Sequence, residues 1–165
     1  MVDVRSSADI DRSTSNIGRM LKSLLSPRPL FYETGLAVIR IIVGLLMTYH
    51  GWEVFDRATM EPYFEWEQIK ALPFPAEFMA YLGKSLELVS GICLTIGFLT
   101  RFAAMFMSVN MLFITFYIGN GIFYYQDQHP FLFALIGIIF FFTGPVKWSV
   151  DQKVFTSVIP TSTTK

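Results

Sequence analysis

Four apolar runs, separated by polar stretches of unequal length, organise the chain. The first covers residues 35–55, follows Thr34 as a cap and is interrupted only by Arg40, His50 and Glu53. The second covers residues 74–100, opened by Pro73 and Pro75 and closed by Arg101. The third covers residues 102–118 and stops at Gly119-Asn120-Gly121. The fourth covers residues 130–146; its uninterrupted apolar part is short, Gly144-Pro145 should break its end, and a re-entrant segment is the alternative to a crossing. About twenty apolar helical residues cross a bilayer of roughly 30 Å, so each run is read as a transmembrane helix. The GFLTR turn between the second and third is so short that these two helices must be antiparallel neighbours.

The remaining stretches read differently. In residues 1–34 the positions Ile17, Met20, Leu21, Leu24 and Leu25 form one stripe, with Arg19 and Lys22 off it. This predicts a short amphipathic helix in the membrane interface, ended by Ser26-Pro27, with a disordered tail as the alternative. No signal-peptide pattern precedes it. Residues 56–72 form a polar loop with Asp56, Glu61, Glu65 and Glu67, and residues 149–165 a polar tail expected to be loosely ordered.

Composition agrees with a membrane chain of one domain: 53% hydrophobic, 16% aromatic and only 16% charged residues. Thirteen basic and thirteen acidic residues cancel, so nothing points to nucleic acid. The distribution of the basic ones sets topology. With the N-terminus cytoplasmic, the inside receives Arg5, Arg12, Arg19, Lys22, Arg28, Arg101, Lys147, Lys153 and Lys165, and the outside only Arg57 and Lys70. The expectation is an all-α integral bundle of four transmembrane helices over residues 35–148, in the inner membrane, with both termini cytoplasmic.

Candidate chemistry lies where charge enters these runs. Arg40, Lys84 and Glu87 fall within the spans, each at a cost on the order of 2.5–3.5 kcal/mol, and should be paired. Two pairings satisfy this. The expected one joins Arg40 to Glu87 between the first two helices; the alternative joins Lys84 to Glu87 at spacing three on one helix. A second group gathers toward the outer face: His50 and Glu53, Glu77, and Asp127 with His129, near Tyr49 and Trp52. Histidines and carboxylates among aromatics could bind a quinone head group, and two histidines could hold a haem iron or, with a carboxylate, a metal. The plainer reading of this group is interfacial anchoring and loop hydrogen bonding. Cys93 reads as a small buried apolar residue, Asn110 as a helix–helix hydrogen bond, and Gly44, Gly51, Gly137 and Gly144 as close-packing positions. No phosphate loop, CxxC, HExxH or serine elbow is present.

Three segments carry a family resemblance: RIIVGLLMTYHGWEVF with Arg40, Gly44, His50 and Gly51; GKSLELVSGICLTIGFLTRFAA; and GPVKWSVDQ after the fourth run. Together they resemble the DoxX-like membrane proteins of bacteria, with HGWEVFD and YQDQHPFLF most similar to Bacteroidetes-type members. Two positions depart from that pattern: Val54 replaces a frequent lysine four residues after His50, and Val146 replaces the last glycine of Gly-Pro-Gly. The resemblance implies a four-helix inner-membrane protein, with some relatives linked to quinone-coupled oxidation of reduced sulfur compounds and others to complexes for thiol and oxidative-stress defence. It implies Arg40, His50, Glu87, Arg101, Lys147 and Trp148 as recurrent polar positions. The expected function is a small membrane subunit of a redox-linked, quinone-contacting complex rather than a stand-alone enzyme, surrounded by membrane lipid. The alternative is a non-enzymatic scaffold or assembly factor that holds a membrane or cytoplasmic protein partner through its helix faces. A solute transporter has only the buried ions behind it and lacks a pair of broken helices.

Overall fold

The first three apolar runs form helices long and apolar enough to cross a membrane: Tyr32–Phe55, Ala76–Ile96 and Thr100–Ile118. The computed structural model describes residues 30–156, with Lys22, Leu25 and Ser26 before them. The amphipathic stripe expected over residues 17–25 and the chain beyond residue 156 therefore lie outside the described residues, apart from those three. In chain order the elements are α1 (Tyr32–Gly51), continued by a 3-10 turn (Trp52–Phe55); α2 (Arg57–Phe64); α3 (Glu67–Lys70); α4 (Ala76–Ile96); α5 (Thr100–Phe113), continued by a π-helical turn (Ile114–Ile118); α6 (Gln128–Thr143); and α7 (Val150–Thr156). Among the described residues there is no strand.

The burial pattern differs from that of a water-soluble bundle, because large apolar side chains cover the outside as well as the core. On α1 the buried positions are Ala37, Arg40, Val43, Gly44, Met47 and Gly51, at steps of three and four, while Val38, Ile39, Ile42, Leu45 and Leu46 face outward. On α5 Ala103, Ala104, Met107, Met111, Ser108 and Asn110 point in, and Phe102, Met105, Phe106 and Val109 point out. Large apolar side chains on the outside, with small and polar ones buried beside an apolar core, suit lipid as the solvent. The core joins Val43 and Met47 to Leu94, Met107, Met111, Phe133 and Phe140.

Glycines bring the helices into near backbone contact. A Cβ at Gly44 would stand 2.8 Å from the Gly91 carbonyl oxygen, and one at Gly91 2.8 Å from the carbonyl carbon of Met47, so α1 and α4 meet with no room for a methyl group. Gly91→Ala is therefore expected to cost about 1–3 kcal/mol, measured by unfolding in detergent; unchanged stability would contradict this contact. Between α5 and α6, Gly137 opposes Ala104 and Ser108, whose hydroxyl donates to the Ala134 carbonyl at 3.1 Å.

Three sequence expectations are corrected. The fourth apolar helix, α6, spans 16 residues, two positions earlier at its start and three at its end than expected. Gly144, at φ 70°, and Pro145 stop it, and at about 1.5 Å per residue it is shorter than the roughly 30 Å apolar layer. The loop over residues 56–72 is two short helices. Asp56 caps α2 by accepting from the Ala58 N–H and the Thr59 hydroxyl, and Met60 and Ile69 bury against Ala80 of α4. Finally, the start of the tail is ordered rather than loose: Ser149 and Asp151 are buried, and α7 follows.

Asp151 explains that order. Its carboxylate accepts from the Leu99 N–H at 2.7 Å, the Thr100 N–H at 2.8 Å and the Thr100 hydroxyl at 2.8 Å, capping α5 from outside its own sequence. Its own N–H donates to the Gly97 carbonyl. Arg40, completely buried, donates through Nη2 to the carbonyls of Trp148 at 3.0 Å and Lys147 at 3.4 Å. The Arg40 guanidinium lies over Gly97, which ends α4 in the left-handed conformation and leaves the guanidinium its space. The bundle thus has a clasp end, built on Asp151 and Arg40, and a loop end covered by α2 and α3.

Arg40 and Glu87 do not pair. Arg40 packs level with Gly97, ten residues beyond Glu87 on α4 and so about 15 Å away along the axis, farther than the side chain reaches. The guanidinium turns instead toward the carbonyls of the segment after α6.

Candidate functional site

At the loop end α1, α4, α5, α6 and the α2–α3 cover enclose a cavity of about 410 Å³. Its walls are mostly apolar, from Met47, Met79, Met111 and Phe133 among others, with Lys84, Glu87, Asn110, His50 and His129 breaking the pattern. Of the two pairings open from the sequence, Glu87 takes the local one. Lys84 Nζ lies 3.1 Å from Glu87 Oε2 and 2.9 Å from Glu53 Oε2, so one cation serves two carboxylates.

Exposure is graded along this triad: 5% for the Glu87 side chain, 16% for Lys84 and 30% for Glu53. The charged line therefore runs from the interior toward the loop end. Tyr63 of α2 closes the outer side, donating its hydroxyl to Glu53 at 2.7 Å, while Lys84 Nζ stands 5.1 Å from the Tyr63 ring centre. Burial, followed by the hydrogen bond to Glu53, pushes the Tyr63 phenol above the usual tyrosine range, so it stays a neutral donor.

The two histidines, both expected toward the outer face, lie side by side. Their rings are 5.4 Å apart, edge to face, and both pack on Phe133. The other residues of the outer group divide. Glu53 joins the site through Lys84 and Tyr63. Tyr49 and Trp52 point outward, 76% and 62% exposed, and Glu77 is exposed in the first turn of α4. Asp127 organises its own loop, accepting from the Asn120 and Ile122 N–H groups at 2.9 and 3.0 Å. Asn110 bridges helices as expected, donating to the Gly83 carbonyl at 3.3 Å.

Sequence reasoning missed Tyr63 and Trp66, which line the cavity from a stretch read as loop. The available signal was Met60, Tyr63 and Phe64 at helical spacing inside an acidic segment. Among the described residues, no three His, Cys, Asp or Glu side chains converge to hold a metal ion. The arrangement offers a cation, one buried carboxylate and two imidazoles to a ligand whose remaining surface is apolar.

No curated protein and no solved structure matches the chain. The DoxX family pattern matches residues 35–120, more than half of its 165 residues, and takes in Arg40, His50, Glu53, Tyr63, Lys84 and Glu87. The chain therefore belongs to the DoxX family and is a membrane protein.

Proposed function

We propose that this protein is a small membrane subunit of a redox-linked complex and that its cavity receives a quinone head group. The supporting observation is the set of polar groups converging on an otherwise apolar cavity within the bundle: Lys84, Glu87, His50 and His129. A quinone ring presents two oxygens to donors such as an ammonium or imidazole N–H, and in its reduced form presents two hydroxyls to carboxylates. An apolar cavity with a few placed polar groups orients such a ligand while burying most of its surface. The fourth helix completes a four-span bundle in the inner membrane, with both termini cytoplasmic. The basic residues at the clasp end, Arg101, Lys147 and Lys153, support that orientation.

The test is gentle extraction of the intact protein followed by mass analysis of what accompanies it. Bound quinone in fixed ratio, reduced about tenfold in His50→Ala at unchanged fold, is the expected result. A partner protein recovered stoichiometrically, with no quinone and no effect of His50→Ala, would replace this reading with the scaffold one.

A further inference from the structure

We infer that the cavity opens sideways to the bilayer between α4 and α5, at Gly83, and that its ligand arrives from the lipid phase. The inference rests on the reading of the cavity as a quinone-head site. It adds the route, the class of ligand that can use it, and the residue that keeps the route open.

Three observations carry it. First, one wall is made of side chains that also face the outside of the bundle: Leu82 on α4, and Phe106 and Val109 on α5, 40%, 48% and 61% exposed. A cavity wall shared with the lipid-facing surface marks the side on which the two are continuous. Second, Gly83 lies in that wall, and a Cβ built on it would meet only the Asn110 Oδ1, at 3.7 Å. At Gly91 within α4 and Gly97 at its C-terminal cap, neighbouring groups fill that space, so Gly83 borders open volume where they serve packing. At this level Asn110 of α5 donates to the Gly83 carbonyl of α4. Third, the loop end is covered. Tyr63 of α2 and Ile69 of α3 line the cavity there, and Met60 and Ile69 seal that cover onto Ala80 of α4, while Trp66 between the two helices lines the cavity and is itself 41% exposed.

The opening also matches the chemistry behind it. Lys84 and Glu87 line the same cavity as Gly83, and the Lys84 side chain is the less buried of the two, so a head group entering reaches the ammonium before the carboxylate. A ligand with a long apolar tail can leave that tail among Leu82, Phe106 and Val109 while its head reaches Lys84. This selects a prenylated quinone over its tail-free, water-soluble counterpart.

The experiment uses the full-length protein in lipid nanodiscs with Trp52 and Trp148 replaced by Phe, leaving Trp66 as the reporter in the cavity wall. Two quenchers are compared: a prenylated quinone dissolved in the bilayer, and lipids brominated on their acyl chains. Gly83→Val places bulk in the opening, and Val109→Phe narrows it from the exposed rim, where the core is not disturbed. Quenching by both agents that falls in both variants, about tenfold in apparent quinone affinity, is the expected result. Quinone quenching that is equal in wild type and both variants would overturn the lateral route and leave the quinone site standing. Variant-sensitive quenching by brominated chains, with none by quinone, would keep the opening and overturn the quinone reading. Insensitivity to both agents would overturn both.

Discussion

Replacing Lys84 by methionine is expected to cost about 3–5 kcal/mol of stability, the range for removing one partner of a buried ion pair. The larger point is an asymmetry. With Lys84 between Glu53 and Glu87, the cluster carries two carboxylates for one ammonium. Lys84→Met leaves both carboxylates facing each other without a counter-ion in a place lipid and protein screen poorly. Glu87→Gln instead leaves a one-to-one pair, Lys84 with Glu53, and an amide that still accepts from Nζ. Its cost should be small, below about 1 kcal/mol. The double variant Lys84→Met with Glu87→Gln should recover part of the loss, since one unpaired charge is gone, and it keeps the comparison readable if the single variant fails to accumulate. Unfolding in mixed micelles measures all three. Equal losses for Lys84→Met and Glu87→Gln would mean that the lysine does not hold the pair.

The same cluster indicates what a sequence can and cannot disclose about such a bundle. The three long apolar helices were legible as runs because a bilayer forces long apolar stretches, although the second ends at Ile96 and not at residue 100, and the packing role of Gly44 and Gly51 was legible because close approach requires small residues. Helix ends were less legible, because their causes are remote. α5 begins at Thr100 because Asp151, 51 residues later, caps it. Arg40 has a side chain long enough to turn either way, and carbonyls 107 and 108 residues away decide the direction. At the site, His50 and His129 could be placed together by depth alone. Tyr49 and Trp52 could not be excluded by depth, yet they point about 100° and 200° around the helix from His50, and both are exposed. Tyr63 was hidden by the acidic average of its segment, although its local spacing was helical.

Asp151→Ala is the second large effect, and it acts at the end of the bundle away from the cavity. The substitution leaves the Leu99 and Thr100 N–H groups and the Thr100 hydroxyl without their acceptor, the last two in a fully buried residue. Buried donors left unsatisfied cost about 1–3 kcal/mol each, so a loss of roughly 2–5 kcal/mol is expected. The consequence should extend to Arg40. Its Nε and Nη1 have no hydrogen-bond partner among the described residues, so its charge is balanced by the two carbonyls it does reach and by the nearby Asp151 carboxylate. Without that carboxylate Arg40 becomes a buried cation held by neutral groups alone. Arg40→Met should accordingly be less harmful in the Asp151→Ala background than in the wild type, with a coupling of about 1 kcal/mol or more in a double-mutant cycle. Asp151→Asn separates the contributions: the amide oxygen can still accept from one N–H, so the capping loss shrinks, while the charge that serves Arg40 is gone. If the effects of Arg40→Met and Asp151→Ala simply add, the clasp is two independent contacts and the ionic link across it is absent. If they couple, the segment after α6 is held to α1 and to the α4–α5 turn by one charge pattern, and loosening it should leave quenching at Trp66 in the distant cavity unchanged.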